Sequence, residues 1–317
     1  MSRANQEYVI GVDGGGSKTT VVLANLEGQI LTRYQVGSSH PRNIGIKNAI
    51  KNLAQAIEKI LSKIRGDKKI LSTFLGLPAM EEEFKLKKSI VKKELLKQKN
   101  LSPIFAGKVI IGSDQLSGFK SGADEEDGVM LNAGSGSVVH GWRGKKETRI
   151  DSWGYLSEMG SAFWIGQRGL QKTCKDLDGR GEKTLITKLV FQKLKIKNKE
   201  SLIEKIYSNN TQEIIRSISI LVDKAGRKGD KVARDILSEA GRELALSANT
   251  AIKRLNFQNK KFPLVLIGSI FKSKIVLDTA KKEIKKIAPK VKIIRPRMEP
   301  VIGAVKLAIG AIKDEKD

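Results

Sequence analysis

The sequence predicts an α/β protein made of two lobes, and three observations carry that prediction. Two apolar strands enclose a glycine-rich turn at residues 8–25, and a similar strand–turn–strand pattern begins again at residues 128–142. Amphipathic helices and short apolar strands alternate after each of these hairpins. An antiparallel start followed by helix–strand repeats is typical of a mixed sheet with helical crossovers. The chain has 317 residues, which is enough for two lobes of ordinary size.

The first hairpin joins a strand at Tyr8–Val12 to a strand at Thr20–Ala24 through a run of three glycines. A plain structural turn would explain the glycines, because glycine adopts positive φ without steric cost. That interpretation leaves the preceding Asp13 and the polar residues after the turn unexplained. A phosphate cradle explains all of them, because glycines let backbone N–H groups approach phosphate oxygens.

The cradle predicts two kinds of contact. A carboxylate at the end of the first strand suits the water shell of Mg²⁺, so Asp13 is the predicted metal contact. The turn lacks the Gly-x-x-x-x-Gly-Lys-Ser/Thr pattern of the P-loop class, and a strand rather than a helix follows it. The predicted phosphate contacts are Gly14, Gly15, Gly16, Ser17, Lys18 and Thr19.

The remaining elements follow from apolar periodicity. In the first half we predict a turn and third strand at 27–31, a loop at 37–45, an amphipathic helix at 46–64, a strand at 68–78, a Lys-rich helix at 83–99 and a strand at 107–114. In the second half we predict a helical region from Ser161 to about Asn256, a strand and glycine turn within 262–273, a strand at 290–296 and a closing helix at 299–312.

Composition limits the functional classes. The formal net charge is +25, from 59 Lys and Arg against 34 Asp and Glu, which raises the alternative of a nucleic-acid-binding protein. The basic residues are spread along amphipathic helices. Aromatic residues, which are 5% of the chain, do not interleave with them as a single-strand stacking surface requires. We therefore expect a solvated basic surface and no specific nucleic-acid partner.

The single cysteine, Cys174, excludes an intramolecular disulfide and indicates a reducing compartment. No signal-peptide pattern precedes the first strand, and no apolar run reaches the length of a membrane span. These observations predict a cytoplasmic protein that does not engage a membrane.

Five stretches, in order along the chain, resemble one known family. They are GVDGGGSKT, LNAGSGSVV, WGYLSEMGSAFWIG, VLIGSIFKS and EPVIGAVKLA. The chain is similar to the BadF/BadG/BcrA/BcrD ATPase family of the actin-like ATPase superfamily, and in particular to its N-acetylglucosamine kinases and archaeal hexokinases. The resemblance implies a two-lobed, ribonuclease H-like fold with a nucleotide cleft between the lobes. It also implies an ATP-dependent carbohydrate kinase that transfers the γ-phosphate to a hydroxyl of a hexose or amino sugar, with ATP and Mg²⁺ as cofactors.

The resemblance assigns roles to the matching residues. Asp114, at the end of the strand 107–114, matches the family's catalytic base, and a helix N-cap is the structural alternative for it. Gly268 and Ser269 match the adenosine contacts. The second phosphate motif contributes Gly134, Ser135, Gly136 and Ser137.

The chain departs from the family pattern on the sugar side. His40 stands where an Asn is usual, and Glu158 stands where an Asp is usual. Asp151 and Ser152 replace two glycines. With Asn43, these are the sugar contacts that the resemblance implies. The structural alternatives are a turn residue for Asn43, a surface loop residue for His40 and a cap for Glu158. The cluster of changes predicts an altered acceptor or a lost one.

The predicted lobes are residues 1–113 with 299–317, and residues 114–298. The predicted partners are a nucleotide and a sugar or related hydroxyl acceptor, and the resemblance leaves a homodimer open. Within the same fold, the alternative is an ATPase of the activator type or a nucleotide-dependent sensor without sugar turnover. Activators of that type carry cluster-binding cysteines, whereas this chain has one cysteine.

Overall fold

The computed structural model describes residues 6–64, 69–78 and 88–313, and these divide into two compact units. The first unit contains the described residues up to Glu125 together with those from Pro296 onward. The second unit contains Glu126–Arg295. The chain therefore enters the second unit once and then returns to complete the first.

Ten strands lie within the described ranges: β1 (Glu7–Gly14), β2 (Lys18–Ala24), β3 (Ile30–Gly37), β4 (Lys69–Leu77), β5 (Lys108–Ser113), β6 (Gly128–Ala133), β7 (Ser137–Arg143), β8 (Lys146–Asp151), β9 (Phe262–Ile267) and β10 (Val291–Ile294). The same ranges contain twelve α-helices: α1 (Pro41–Ile44), α2 (Ile46–Leu61), α3 (Lys88–Leu96), α4 (Ser102–Phe105), α5 (Asp114–Gly122), α6 (Ala162–Leu177), α7 (Leu185–Leu194), α8 (Lys199–Ile206), α9 (Thr211–Arg227), α10 (Lys231–Arg254), α11 (Lys274–Ile287) and α12 (Pro300–Lys313).

The two units contain sheets of the same topology. The first has the strand order β3-β2-β1-β4-β5 and the second has the order β10-β9-β6-β7-β8. In each sheet a three-stranded antiparallel meander is extended by two parallel strands. The predicted mixed sheet with helical crossovers and the repetition of this pattern in the second half of the chain are therefore confirmed.

Helices cover both faces of the first sheet, because its central strands are apolar on both sides. The apolar stripe of α2, which includes Leu53, Ile57 and Ile60 at helical spacing, packs against one face. Val301 and Val305 of α12 pack against the other face. In the second unit, α6 to α10 and β6, β7 and β9 contribute to one continuous apolar core. Among the described residues no helix is both long enough and apolar enough to cross a bilayer.

Three predicted elements differ from the structure. The third strand begins at Ile30 and continues to Gly37, so it occupies the start of the region predicted as a loop. Its side chains alternate between exposed and half-buried, as is typical of an edge strand. Such a strand needs no continuous apolar run, so its full length was not predicted. Strand β8 was not predicted, because its sequence KETRID is polar. The Lys-rich helix is described only as α3 and ends at Leu96, and residues 83–87 of the prediction lie outside the described residues.

The division into units differs from the predicted lobe boundary between residues 113 and 114. Helix α5 lies in the first unit together with Asp114, because it packs against α12 and β4. The return to the first unit falls at Pro296, three residues before the predicted position at 299.

Candidate active site

The first glycine turn connects β1 to β2 and is shaped by close approach rather than by unusual backbone angles. Gly14, Gly15 and Gly16 are absent from the residues with positive φ, so the structural-turn explanation based on positive φ is wrong. A Cβ on Gly14 would lie 2.4 Å from Ser39 Oγ, and one on Gly15 would lie 2.9 Å from the carbonyl oxygen of Lys18. Side chains at these positions would collide with their surroundings, and their absence keeps the turn narrow.

The segment from Ser38 to Asn43, which includes the start of α1, contacts and supports this turn. The backbone N–H of Ser39 donates to the carbonyl oxygen of Gly15 at 3.2 Å, and Asn43 Nδ2 donates to the carbonyl oxygen of Gly16 at 2.9 Å. Asn43, which the resemblance assigns to the sugar, therefore stabilises the first glycine turn here. His40 lies in the same loop and donates its backbone N–H to Ser38 Oγ at 3.0 Å.

The polar residues after the turn divide into two groups. Ser17 and Lys18 are exposed, so their side chains are free to meet a ligand. Thr19 is fully buried in β2, and its Oγ1 has no hydrogen-bond partner among the described residues. The Thr19 side chain, predicted as a phosphate donor, lies in the strand interior and does not reach the surface of the turn.

Two aspartates of the first unit, Asp13 and Asp114, lie close enough for the charge of the second to affect the first. Asp13 lies near the end of β1, and Asp114 is the first residue of α5, directly after β5. Burial is the largest cause of the raised pKa of Asp13, and the charge of Asp114 adds to it, bringing the pKa to about 7. The positive charge of Lys18 acts in the opposite direction.

The helix-cap alternative for Asp114 is resolved by its neighbour. Ser113 is the N-cap of α5, and its Oγ accepts the backbone N–H of Gln115 at 3.0 Å. Burial raises the pKa of the Asp114 carboxyl to about 6, while hydrogen bonds from the Gln115 backbone and the Ser113 side chain lower it. A half-buried carboxylate with a pKa near neutrality is suited to accept a proton from a hydroxyl.

Glycines bring the elements that carry these aspartates together. A Cβ on Gly11 of β1 would lie 2.8 Å from the backbone nitrogen of Val305 in α12. A Cβ on Gly76 of β4 would lie 2.3 Å from Ser117 Oγ in α5. A Cβ on Gly303 of α12 would lie 1.9 Å from the carbonyl oxygen of Ser117. The three contacts pack α5 and α12 directly onto the sheet and onto each other.

Sequence reasoning missed one charged residue beside this pair. Glu299 precedes α12 and is held by two contacts from the Arg33 guanidinium, at 2.5 and 3.2 Å. Its charge contributes to the raised pKa of Asp13. The stretch EPVIGAVKLA contains Glu299, but no local pattern indicates that a glutamate there meets an arginine 266 residues away.

The second glycine turn, between β6 and β7, is closed by internal hydrogen bonds. The N–H of Gly134 donates to the carbonyl oxygen of Gly136 at 2.9 Å, and the N–H of Ala162 donates to that of Gly134 at 2.9 Å. Ser137 donates its backbone N–H to Glu158 Oε2 at 3.2 Å and its hydroxyl to the carbonyl oxygen of Met159 at 3.1 Å. Both predicted phosphate donors of Ser137 are thus used inside the protein, whereas Ser135 is exposed.

Glu158 is a structural brace for this turn. Its second oxygen accepts the N–H of Gly154 at 3.0 Å, so one carboxylate joins the turn to the loop that follows β8. A Cβ on Gly136 would lie 2.0 Å from Glu158 Oε2, which explains the glycine. Burial raises the pKa of Glu158, and the nearby Asp151 adds to it. The capping alternative for Glu158 is therefore what the structure contains.

The stretch predicted to contact adenosine continues from β9 and approaches the end of β6, directly before the second glycine turn. Gly268 has φ of 103°, and a Cβ there would lie 2.1 Å from the carbonyl oxygen of Ala133. Only glycine fits both the backbone angle and the space. Ser269 follows it and is exposed. The second unit therefore brings residues 134–137, the 151–158 loop and Gly268 together, while Asp13, the first turn, His40, Asn43 and Asp114 lie in the first unit.

Comparisons with known proteins bear on the predicted family and fold. Two sheets of the same topology, each opening with a glycine-turned hairpin, are what the predicted actin-like fold class requires. The family model of the BadF/BadG/BcrA/BcrD ATPases matches residues 10–308, and the chain belongs to that family. The predicted family and fold class are confirmed.

Two curated relatives cover almost the whole chain. An N-acetylmuramic acid/N-acetylglucosamine kinase from Clostridium acetobutylicum is 32% identical, over 95% of this chain and 98% of its own length. An N-acetyl-D-glucosamine kinase from Dictyostelium discoideum is 29% identical, over 98% of this chain and 100% of its own length. The solved structure of a candidate N-acetylglucosamine kinase from Chromobacterium violaceum superposes with a TM-score of 0.72 at 22% identity, over 96% of this chain and 99% of that one.

Proposed function

We propose that this protein is an ATP-dependent sugar kinase that transfers the γ-phosphate of ATP to a hydroxyl of a hexose or amino sugar. The observation that carries the proposal is the half-buried Asp114 at the start of α5, which lies close enough to Asp13 for its charge to raise the pKa of that residue. The kinases among the relatives, which match over nearly their full lengths, support the same activity.

Asp114 is the residue we assign as the base. Its carboxylate would accept the proton of the attacking hydroxyl, which raises the nucleophilicity of the oxygen as the bond to phosphorus forms. Such a role is typically worth about 10²–10⁴-fold in rate. The Ser113 cap and the Gln115 N–H fix the start of α5, so the carboxylate is held rather than free to rotate away.

The phosphates of ATP are assigned to the two glycine turns. In the first turn, the backbone N–H groups of Gly15 and Gly16 and the side chains of Ser17 and Lys18 supply donors and positive charge. In the second turn, Ser135 and Gly136 supply backbone donors. Ser137 stabilises the turn, because its own N–H and hydroxyl donate inside the protein. Gly268 and Ser269 are assigned to the adenosine.

We assign the Mg²⁺ contact to the single carboxylate of Asp13, near the end of β1. Desolvation and the charge of Asp114 both raise the pKa of Asp13, so its carboxylate stands in an environment that a cation would stabilise. Mg²⁺ prefers one or two carboxylates, substrate phosphates and retained waters, and when bound it neutralises charge on the phosphates. Asp13 would hold this ion through its waters.

We also assign the protein to the cytoplasm, where ATP is available.

A test of the proposal measures ADP release from ATP with and without sugars. The panel contains N-acetylglucosamine, glucosamine, glucose and mannose at equal concentration, with Mg²⁺ present. We expect ADP release to depend on at least one of these sugars. ADP release that is unaffected by every sugar would contradict the kinase and favour the ATPase-activator alternative, because an activator hydrolyses ATP without an acceptor.

A further inference from the structure

One end of the second sheet carries an excess of basic residues. Gly128, the first residue of β6, pairs with Trp142 near the end of β7. Strand β9 runs parallel to β6, and β10 runs parallel to β9. The starts of β6, β9 and β10 and the β7–β8 turn therefore lie together at this end. The second glycine turn follows the other end of β6, about 20 Å away.

Three segments at this end contain ten basic residues and no acidic residue in 19 positions, whereas 59 of the 317 residues in the whole chain are basic. The segments are residues 143–146, 253–261 and 285–290, and we call them the basic end. Nine of the ten basic side chains are exposed, and that of Arg143 is half-buried. The positive charge is thus presented to solvent.

Specific contacts join the β7–β8 turn to the end of α10. Arg143 Nη1 donates to the carbonyl oxygens of Leu255 and Asn256 at 2.6 and 2.9 Å. Its guanidinium lies 5.5 Å from the centre of the Phe257 ring. The N–H of Gly144 donates to Asp127 Oδ1 at 2.7 Å. The first two segments of the basic end therefore form one continuous surface.

Nearby carboxylates neutralise little of this charge. Glu283 pairs with Lys286 at 2.7 Å, and Glu147 contacts His140 instead of the basic end. Four lysines of the basic end form no ion pair with any described residue: Lys260, Lys261, Lys285 and Lys290. Like charges that lie close together repel each other and destabilise the folded state. Such a surface therefore suits an anionic partner that removes the repulsion.

The side chains of the basic end favour one kind of anionic partner. Phe257 and Phe262 stack on each other and are only 3% and 4% exposed. The three segments, all within the described residues, present no exposed aromatic side chain on which the bases of a single strand could stack. They also present no exposed large apolar side chain, the second signal that stable membrane anchoring needs besides charge.

The width of the basic end matches the charge density of a duplex. Strands β10, β9, β6 and β7 are neighbours in the sheet, and four neighbouring strands span about 15 Å. A nucleic-acid duplex carries one negative charge per about 1.7 Å of its axis, so it presents about nine charges over that span. Ten basic residues therefore meet a similar number of phosphates.

We propose that the basic end binds the phosphate backbone of duplex nucleic acid without reading its sequence. The inference is independent of the proposed kinase, since no residue assigned to ATP, metal or sugar lies in these segments. It also agrees with the expectation that the protein has no specific nucleic-acid partner. If four or five side chains contact phosphates, the logarithm of the association constant should fall with the logarithm of the salt concentration with a slope of about −4.

The test measures fluorescence anisotropy of a labelled DNA duplex of about 30 base pairs, titrated with the full-length protein at several salt concentrations. The test variant neutralises four exposed lysines of the basic end: Lys260→Gln, Lys261→Gln, Lys285→Gln and Lys290→Gln. The control variant lowers the net charge by the same amount at exposed lysines on and between α7 and α8: Lys188→Gln, Lys193→Gln, Lys197→Gln and Lys205→Gln. A second variant, Lys145→Gln with Lys146→Gln, changes the β7–β8 turn alone.

We expect the test variant to bind the duplex at least about tenfold more weakly at about 50 mM salt, with a slope closer to zero by about 2 or more, because each phosphate contact contributes about 0.9. The turn variant should bring the slope closer to zero by about 1–2. The control variant should bind within about twofold of the wild-type protein. Tm of the test variant should stay the same or rise, because like-charge repulsion is removed.

Three outcomes would overturn the inference. The first is a wild-type protein that does not bind the duplex at about 50 mM salt. The second is equal weakening in the test and control variants, since binding would then follow net charge rather than this surface. The third is a different preferred partner. Tighter binding to a single strand of the same length would show stacking, and binding to equimolar phosphatidylcholine and phosphatidylserine vesicles but not to the duplex would show a lipid surface.

Discussion

Gly303 of α12 approaches Ser117 of α5 so closely that a Cβ at residue 303 would lie 1.9 Å from the Ser117 carbonyl oxygen and 2.7 Å from the Ser121 nitrogen. The two helices therefore touch through backbone. Asp114 begins the same α5, and Glu299 directly precedes α12. The contact fixes where the candidate base stands relative to β1.

Gly303→Ala should displace α5. The new methyl group meets backbone, which cannot rotate away, so we expect the free energy of unfolding to fall by about 1–3 kcal/mol. Activity should fall as well, because Asp114 moves with the helix. Urea denaturation and steady-state kinetics measure the two effects. Gly310→Ala on the same helix is the control, since nothing lies within 4 Å of its Cβ position and alanine favours helix. Equal effects of both variants would show that the contact is unimportant.

Asp13→Asn should weaken the metal-dependent part of nucleotide binding. The amide keeps the size of the side chain but removes the charge that would hold the hydrated ion. Isothermal titration calorimetry with ATP in Mg²⁺ and in excess chelator separates the two parts. We expect the gain in affinity from Mg²⁺ to shrink about tenfold or more, with little change in chelator. If the dependence of ATP affinity on Mg²⁺ is unchanged, Asp13 does not contact the metal.

Glu158→Gln should loosen the second turn. The oxygen of the glutamine side chain can accept a hydrogen bond from one of the two backbone N–H groups. Its amide nitrogen is itself a donor, so the hydrogen bond to the other N–H group is lost. We expect KM for ATP to rise about tenfold and the free energy of unfolding to fall by about 1.5–3 kcal/mol, the range for hydrogen bonds to charged groups. Glu182→Gln is the control, because Glu182 forms only an exposed pair with Lys231 at 3.5 Å. A similar KM in both variants would exclude a role for the brace in nucleotide binding.

The pH dependence of kcat should report the buried carboxylates. The pKa of Asp114 is raised to about 6, and a protonated base cannot accept a proton from the acceptor. At saturating ATP, Mg²⁺ and sugar, kcat should therefore be constant above about pH 7. Below about pH 6 it should fall about tenfold per pH unit. If kcat instead falls only near pH 4, which is about the pKa of an exposed aspartate, the pKa of the base is not raised by burial.

The sequence predicted the central architecture because its signals are local. The apolar strands on either side of the first glycine turn and the apolar stripe of α2 can each be recognised from a short stretch of sequence. Strand β8 was missed because its polar sequence pairs only along an edge, where no apolar alternation is required.

The candidate site was predicted less completely, because several contacts join distant residues. The resemblance located Asp114 and the glycine turns. It did not show that Asn43 holds the first turn, that Glu158 occupies the Ser137 N–H, or that Glu299 meets Arg33. These contacts depend on the fold rather than on neighbouring residues. The resemblance drew attention to Asp151 and Ser152, but their left-handed backbone was not visible in the sequence.

The most direct test of the kinase measures the sugar phosphate itself, by mass spectrometry, for the wild-type protein and Asp114→Asn. The asparagine keeps the shape of the side chain and removes its ability to accept the hydroxyl proton. The account predicts that the wild-type protein forms one sugar phosphate for each ADP. It predicts that Asp114→Asn forms it about 10²–10⁴-fold more slowly while binding ATP with unchanged affinity. ADP formation without sugar phosphate, or an Asp114→Asn variant as fast as the wild-type protein, would contradict it.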